Sequence, residues 1–315
     1  MSISRRMVLV TGARGFLGTY CVPLLAESGF DVLAASSTAG GPTLPGVRWR
    51  QCNLLERTET VALLREERPS HLLHLAWITQ PGVFWSSARN LEWLSAGTRL
   101  FDAFYELGGE RAVGLGTCAE YEISAAPCLE DVTPITPATV YAKAKAAMHG
   151  ALQAAAEGRG SYAWVRLFFP YGPGEADDRF IPSVIRGLLR GQPVLCTHGQ
   201  QVRDFIFVSD AAAACAALLE SPQSGAYNVA SGVGVSLRWI AEIITRHLGS
   251  AELLRFGARE TPPFDPESIV GDTAKIARDI GWRPKVGLED GLLQSITAHK
   301  RAMRPPVTSA SGTIK

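Results

Sequence analysis

The chain has 315 residues, 46% hydrophobic and 19% charged, and 31 basic against 30 acidic side chains leave a formal net charge of +1. That composition excludes a disordered chain, and the balance of charge excludes the electrostatic footprint of a nucleic-acid or anionic-membrane binder. The length suits one large α/β unit or two smaller domains.

In chain order, MVLV (7–10) reads as a buried strand, and Phe16 to Ser28 as a helix that Pro23 should kink. DVLAAS (31–36) and VRWRQCN (47–53) read as strands, and the amphipathic run 56–69 as a helix stopped by Pro69. HLLHLAW (71–77) is strand-like, Asn90 to Leu107 is helical and ends at Gly108-Gly109, and RAVGLGT (111–117) is a fifth strand. An Ala-rich helix around 139–156 and a strand at 162–169 follow. This alternation argues for a parallel sheet covered on both faces by helices. From about Pro170 the segments shorten and Pro, Gly and charge become frequent, so 170–303 reads as a smaller second domain after a first domain at 1–169. AYNVAS (226–231) could return a strand to the main sheet, and 304–315 reads as a flexible tail.

The six cysteines (21, 52, 118, 128, 196 and 215) include no C-x-x-C pair and read as reduced, buried thiols of a cytoplasmic protein. The six histidines lack metal-like spacing, and no metal site is expected. The apolar run before Thr11 is too short for a signal peptide or a membrane span.

The first strand runs into T-G-A-R-G-F-L-G, with Gly12, Gly15 and Gly18 spaced three apart before the first helix. A dinucleotide fingerprint needs this context. Glycines permit the tight turn and close backbone approach, and unpaired N–H groups at the helix start face a pyrophosphate. The same turn without a ligand is the plain alternative. With the fingerprint in place, the expected fold class is a Rossmann-type doubly wound parallel sheet with a smaller C-terminal α/β substrate domain.

Tyr141 and Lys145 lie four apart on one helix face, where an ammonium can pull a phenol down into the range of acid–base work. Thr117 ends the fifth strand, where parallel sheets bind ligands, and its hydroxyl can donate to a substrate carbonyl. A surface tyrosine with a solvated lysine, and a strand-end β-branched residue, are the structural alternatives.

Together with HLAW, EDVTPITPATVYAKAK, RLFFPYGPG, RDFIFV, YNVASG and the C-terminal block from Gly271, the T-G-x-x-G-x-x-G turn resembles the extended short-chain dehydrogenase/reductase family that acts on nucleotide sugars. The resemblance covers nearly the whole chain. It implies that Thr117, Tyr141 and Lys145 are catalytic, and that the lysine also holds the nicotinamide ribose. It implies a cofactor site drawn from Gly12, Arg14, Gly15, Phe16, Leu17 and Gly18 of the turn. Ser36 and Ser37 would join it after the second strand, Asn53 and Leu54 after the third, and Leu75, Ala76 and Trp77 after the fourth. Asn90 and Phe168 complete the implied set. Substrate contacts are implied for Thr117, Cys118, Glu120, Phe180 at the start of a lid helix, and Arg203 near the diphosphate.

Departures from the family pattern carry information. The acidic residue that normally meets the ribose of NAD is Ser36 here, and Arg14 could clamp a 2′-phosphate, so NADP is the expected cofactor, with NAD the alternative. A solvated Arg14 is the other reading, as a salt bridge is for Arg203. Cys118 and Ala119 stand where the family's dehydratases carry an Asp-Glu pair, which sets dehydration aside; Cys118 is either a proton donor or an inert thiol. Glu120-Tyr121-Glu122 replaces the usual end of that loop, and Phe169 replaces an Asn. Trp77, Phe84, Trp85 and Trp93 are either a wall for a deoxysugar methyl or core and dimer contacts. The first functional reading is an NADP-dependent reductase of a nucleotide-linked 4-keto-6-deoxysugar. A nucleotide-sugar epimerase holding NAD is the second, and a cofactor sensor without turnover the third. The expected partner is a nucleotide-diphosphate sugar, and the resemblance implies a homodimer through the helices at 90–107 and 139–156.

Overall fold

The computed structural model describes residues 6–80, 82–261 and 265–303; the tail expected at 304–315 lies outside them. In chain order the strands are β1 (Met7–Thr11), β2 (Asp31–Ser36), β3 (Val47–Gln51), β4 (His71–His74), β5 (Arg111–Thr117), β6 (Ser161–Leu167), β7 (Phe169–Tyr171), β8 (Val194–Leu195), β9 (Val202–Phe207), β10 (Gly225–Val229), β11 (Gly234–Ser236), β12 (Leu254–Arg255) and β13 (Ser268–Ile269). The helices are α1 (Gly18–Glu27), α2 (Arg57–Glu67), α3 (Arg89–Glu106), α4 (Val140–Ala156), α5 (Phe180–Leu189), α6 (Val208–Glu220), α7 (Leu237–Leu248), α8 (Ala274–Ile280) and α9 (Leu288–Ala302).

Strands β1, β2, β4 and β5 are apolar runs buried on both faces, as strands interior to a parallel sheet must be. They lie in a seven-stranded parallel sheet of order β10-β6-β5-β4-β1-β2-β3. The fold is therefore Rossmann-type. Edge strand β3 is different: Arg48 bonds Glu67 of α2 at 3.0 Å and Arg50 pairs with Glu66, so charge guards the open edge. Helices α1 and α6 pack on one face of the sheet, and α2, α3 and α4 on the other. Helix α1 runs without a break through Pro23. No described helix is long and apolar enough to cross a membrane.

Beyond β6 the chain leaves the sheet, builds a second core, and comes back. In α5, Ile181, Val184, Ile185 and Leu188 form one buried stripe. That stripe packs with Ile240, Ile243 and Ile244 of α7 and Leu292 and Ile296 of α9, around β7 and β9. Strand β9 is flanked by β11 and β13 and also pairs with β7. The chain then returns to the main sheet, since α6 lies on α1 and β10 pairs with β6 along Gly225–Val229. Residues 208–229 thus belong to the sheet layer, and the two cores are interleaved in sequence.

Sheet order reverses between β1 and β4. The β1–α1 turn sits at that switch point, where open α/β sheets bind ligands. Gly12 adopts φ +67°, and a Cβ there would lie 2.7 Å from the Ala76 backbone nitrogen beyond β4. A Cβ on Gly18 would meet the carbonyl of Gly12 and lie 2.8 Å from the carbonyl carbon of Ala13. The third glycine is therefore a packing requirement between α1 and its own turn. Gly18→Ala should cost about 1–3 kcal/mol through overpacking, read as a lowered urea midpoint at unchanged m-value.

Candidate active site

The glycine turn has the features of an anion cradle. No side chain caps α1 and no acidic residue lies in its first turn; the amides of Thr19, Tyr20 and Cys21 donate to the carbonyls of Gly15 and Leu17, and those of Phe16, Leu17 and Gly18, without a partner among the described residues, are left to face a ligand. Thr11 hydrogen-bonds with His74 Nδ1 at 2.7 Å, tying the ends of β1 and β4 together under the crevice. Leu17, Leu54, Leu75 and Ala76 are buried around it, and Phe16 stands half-buried against Tyr20. These residues fit the dinucleotide that the glycine spacing implies.

At the tip of β2, Ser36 Oγ accepts from the Thr38 amide at 3.2 Å, and Ser37 is exposed. Arg14 reaches across from the glycine turn, donating to the carbonyls of Ala39 at 3.3 Å and Gly40 at 3.2 Å. Asn53 lies two residues beyond β3, where its Oδ1 accepts from the Leu55 amide at 3.2 Å.

Thr117, Tyr141 and Lys145 converge at the other side of the crevice. Thr117 closes β5 and starts a short 3-10 turn, accepting from the Ala119 amide at 3.2 Å, which leaves its hydroxyl hydrogen free to donate. Helix α4 begins where Thr139 accepts from the Ala142 amide at 3.1 Å, and this cap sets Tyr141 in the first turn. The Tyr141 amide donates to the Trp85 carbonyl at 3.2 Å. One turn on, the buried Lys145 ammonium donates to the Leu115 carbonyl at 2.7 Å and lies 3.9 Å from the Trp77 ring centroid.

Burial dominates the acid–base character of both groups. It raises the Tyr141 phenol above its ordinary value, against the opposing hydroxyl of Thr117. It also pulls the Lys145 ammonium down to about 7, with Glu120 opposing. The ammonium-driven lowering of the phenol expected from the sequence is not the leading influence here, because Lys145 is turned to Leu115 and Trp77. The phenol is held protonated, as a proton donor requires.

Several expected ligand contacts are instead structural. Glu120 is fully buried: its carboxylate accepts from the Thr117 amide at 2.9 Å and from Trp164 Nε1 at 3.1 Å, and pairs with Arg166 Nε at 3.0 Å. It braces the end of β5 from within the protein interior. Asn90 is also fully buried, accepting from Trp77 Nε1 at 2.8 Å and donating to the carbonyls of Phe84 at 2.7 Å and Ser87 at 2.8 Å. That leaves its amide no spare N–H for a cofactor. Cys118 and Phe168 lie in an apolar cluster with Tyr121, Cys128, Ala230 and Ile269, and burial holds the Cys118 thiol protonated. Arg203 is buried in an ion pair with Asp265, the structural alternative to a diphosphate contact. Phe180 opens α5 half-buried. The six cysteines are all free and buried.

Sequence reasoning missed two residues before α5. Arg179 lies 5.4 Å from the centroid of Phe84, whose ring meets the Tyr141 ring edge-on at 4.9 Å. Glu175 sits nearby with Oε2 buried and without a hydrogen-bond partner among the described residues. Desolvation raises its carboxyl to about 8, with Arg179 opposing. The charged run EADDR was the available signal, but it reads as a solvated loop.

Both buried carboxyl groups lend themselves to test. Glu120→Gln leaves the Arg166 charge buried without its partner and should cost about 3–5 kcal/mol in denaturant unfolding. Glu175 binds a proton more tightly folded than unfolded, so its contribution is present below pH ~4.5 and is lost as pH rises towards about 8. Glu175→Gln should therefore melt above the parent at pH ~8.5, with the gap closing by pH ~5.

The sequence model of the NAD dependent epimerase/dehydratase family matches residues 8–230. CDP-abequose synthase of Salmonella typhimurium is 27% identical over 310 residues, 93% of this chain and 98% of that one. The dTDP-4-dehydro-6-deoxyglucose reductase of Escherichia coli is 25% identical, over 93% of this chain and 97% of its own. Among solved structures, MoeE5 in complex with UDP-glucuronic acid and NAD superposes with TM-score 0.83 at 29% identity, covering 94% of this chain and 99% of that chain. The UDP-glucose 4-epimerase of Thermus thermophilus, in complex with NAD, gives TM-score 0.83 at 27% identity, covering 94% and 99%. With the glycine cradle at the switch point and the Thr–Tyr–Lys set facing it, the chain belongs to the NAD-dependent epimerase/dehydratase family of enzymes.

Proposed function

We propose that this enzyme reduces the 4-keto group of a nucleotide-linked 6-deoxysugar, with NADP as its cofactor. One observation carries the choice: the tip of β2 ends in Ser36 and Ser37 with no carboxylate, and the Arg14 guanidinium lies across that same tip. A carboxylate there would bind the ribose diol of NAD and repel a 2′-phosphate; a serine pair beside a guanidinium does the reverse. The 27% and 25% identity to a CDP-abequose synthase and a dTDP-4-dehydro-6-deoxyglucose reductase supports the same substrate class.

The bound nicotinamide would supply the hydride. The protein's own residues handle the oxygen. Thr117 and Tyr141 donate to the keto oxygen, drawing charge onto it as the carbonyl carbon is reduced. Tyr141, protonated beforehand, delivers its proton to the forming alkoxide. The positive charge of Lys145, one turn along the same helix, favours the phenolate that is left until solvent restores the proton. Phe84 and Trp85 pack against the Tyr141 ring and offer an apolar face to a deoxysugar methyl.

A nucleotide-sugar epimerase is the second reading, favoured by the NAD seen in the MoeE5 and Thermus structures. The two readings separate on the purified protein. Oxidation of added NADPH only when a keto-sugar nucleotide is supplied supports the reductase; stoichiometric NAD surviving gel filtration supports the epimerase. NADPH should bind at least ~10-fold more tightly than NADH, and Arg14→Ala should erase most of that preference in equilibrium titrations. Tyr141→Phe should lower kcat by about 10²–10⁴-fold while NADPH affinity holds.

A further inference from the structure

We propose that Trp77 is the positioning residue of the proton-transfer pair: its indole face holds the Lys145 ammonium in place below Tyr141, and Asn90 fixes the indole. The proposal rests on the catalytic reading of Tyr141 and Lys145 given above.

Lys145 is 4% exposed, and its ammonium has three donors. Among the described residues the Leu115 carbonyl, at 2.7 Å, is its one hydrogen-bond partner. Among the described residues no carboxylate forms an ion pair with it. Glu120 is engaged by Arg166 at 3.0 Å, and His74, from β4, is held neutral by burial with its pKa down at about 3. Tyr141 on the same helix is held as the neutral phenol. Glu120 opposes the desolvation of Lys145 by its charge without touching it, and the compensation in contact with the ammonium is the Trp77 ring face, 3.9 Å from Nζ, a close geometry for a cation over an aromatic ring.

A ring holds a cation only where the ring itself cannot turn. Trp77 Nε1 donates to Asn90 Oδ1 at 2.8 Å, and Asn90 Nδ2 donates to the carbonyls of Phe84 and Ser87 at 2.7 and 2.8 Å. Rotating that amide would set a donor against the indole N–H and an oxygen against two carbonyls, so its orientation is fixed. The same loop sets Phe84 and Trp85 edge-on against the Tyr141 ring at 4.9 and 5.5 Å. A single segment, anchored through Asn90, therefore orients both members of the pair.

The test follows Lys145 directly, by NMR titration of 13C-lysine-labelled protein without cofactor, the resonance being assigned by its loss in Lys145→Met. In Trp77→Leu the Lys145 midpoint should fall by about one pH unit; in Trp77→Phe, which keeps a ring face, it should fall by less than half of that. With keto-sugar nucleotide and NADPH, the alkaline limb of kcat should move down by the same amount in Trp77→Leu, with KM little changed and Trp77→Phe recovering most of the shift. A midpoint that stays or rises in Trp77→Leu, or that falls equally in both variants, overturns the role of Trp77 even where wild-type turnover is intact. Absence of any wild-type turnover with sugar nucleotides overturns the catalytic reading and this proposal with it.

Discussion

Beneath Thr117, at the end of β5, a carboxylate and a guanidinium are sealed from water. Taking two charges into an interior costs several kcal/mol per ion unless every remaining lone pair and N–H is answered. Here most of them are. Glu120 accepts from Arg166, Trp164 and the Thr117 amide; Arg166 also donates to the Tyr121 hydroxyl at 3.0 Å and the Glu130 carbonyl at 3.3 Å. Tyr121 donates in turn to Asn228 Oδ1 at 2.7 Å, and Asn228 reaches the carbonyls of Cys128 and Asp272. The network clamps β5, β6 and β10 at the sheet end where the crevice opens. The hydroxyl of Thr117 is held where it is because the carboxylate three residues on turns back to bond its amide. The close fit extends to Gly116, where a Cβ would collide with Trp164 and Glu120.

The chemistry draws on the same economy of charge. One face of the crevice carries the glycine turn, with no side-chain cap on α1, and a guanidinium at the β2 tip. The opposite face holds a neutral phenol, a hydroxyl and a desolvated ammonium resting on an aromatic ring. The positive and the neutral sides of the crevice are thus separated across the end of the sheet.

Much of this was legible in the sequence because it is local. The strands at 31–36 and 111–117 lie where alternation and burial patterns put them, and the glycine turn and the Tyr141–Lys145 pair are fixed by short spacings. The errors are long-range. The strand read at 47–53 stops at Gln51 because its partner β2 ends at Ser36, opposite that residue. The strand read at 71–77 stops at His74, where β1 ends at Thr11 and turns away at Gly12. Glu120 looked like a loop carboxylate because its partner, Arg166, is 46 residues away and meets it only through the β5–β6 register. Asp265 hid the fate of Arg203 in the same way, from 62 residues off. The aromatic loop after β4 offered two readings because a sequence does not say which rings face a lysine and which face a ligand.

The return of the chain to its first sheet has a consequence for biogenesis. Helix α1 presents its apolar side to α6, and β6 awaits β10, so a nascent chain that has completed six parallel strands still carries an uncovered hydrophobic flank and an open strand edge. Non-local pairing of this kind closes slowly. Until the ribosome has added the segment ending at Val229, that flank is a surface for holdase chaperones, and a message truncated in the second core would yield an aggregating product rather than a smaller working enzyme.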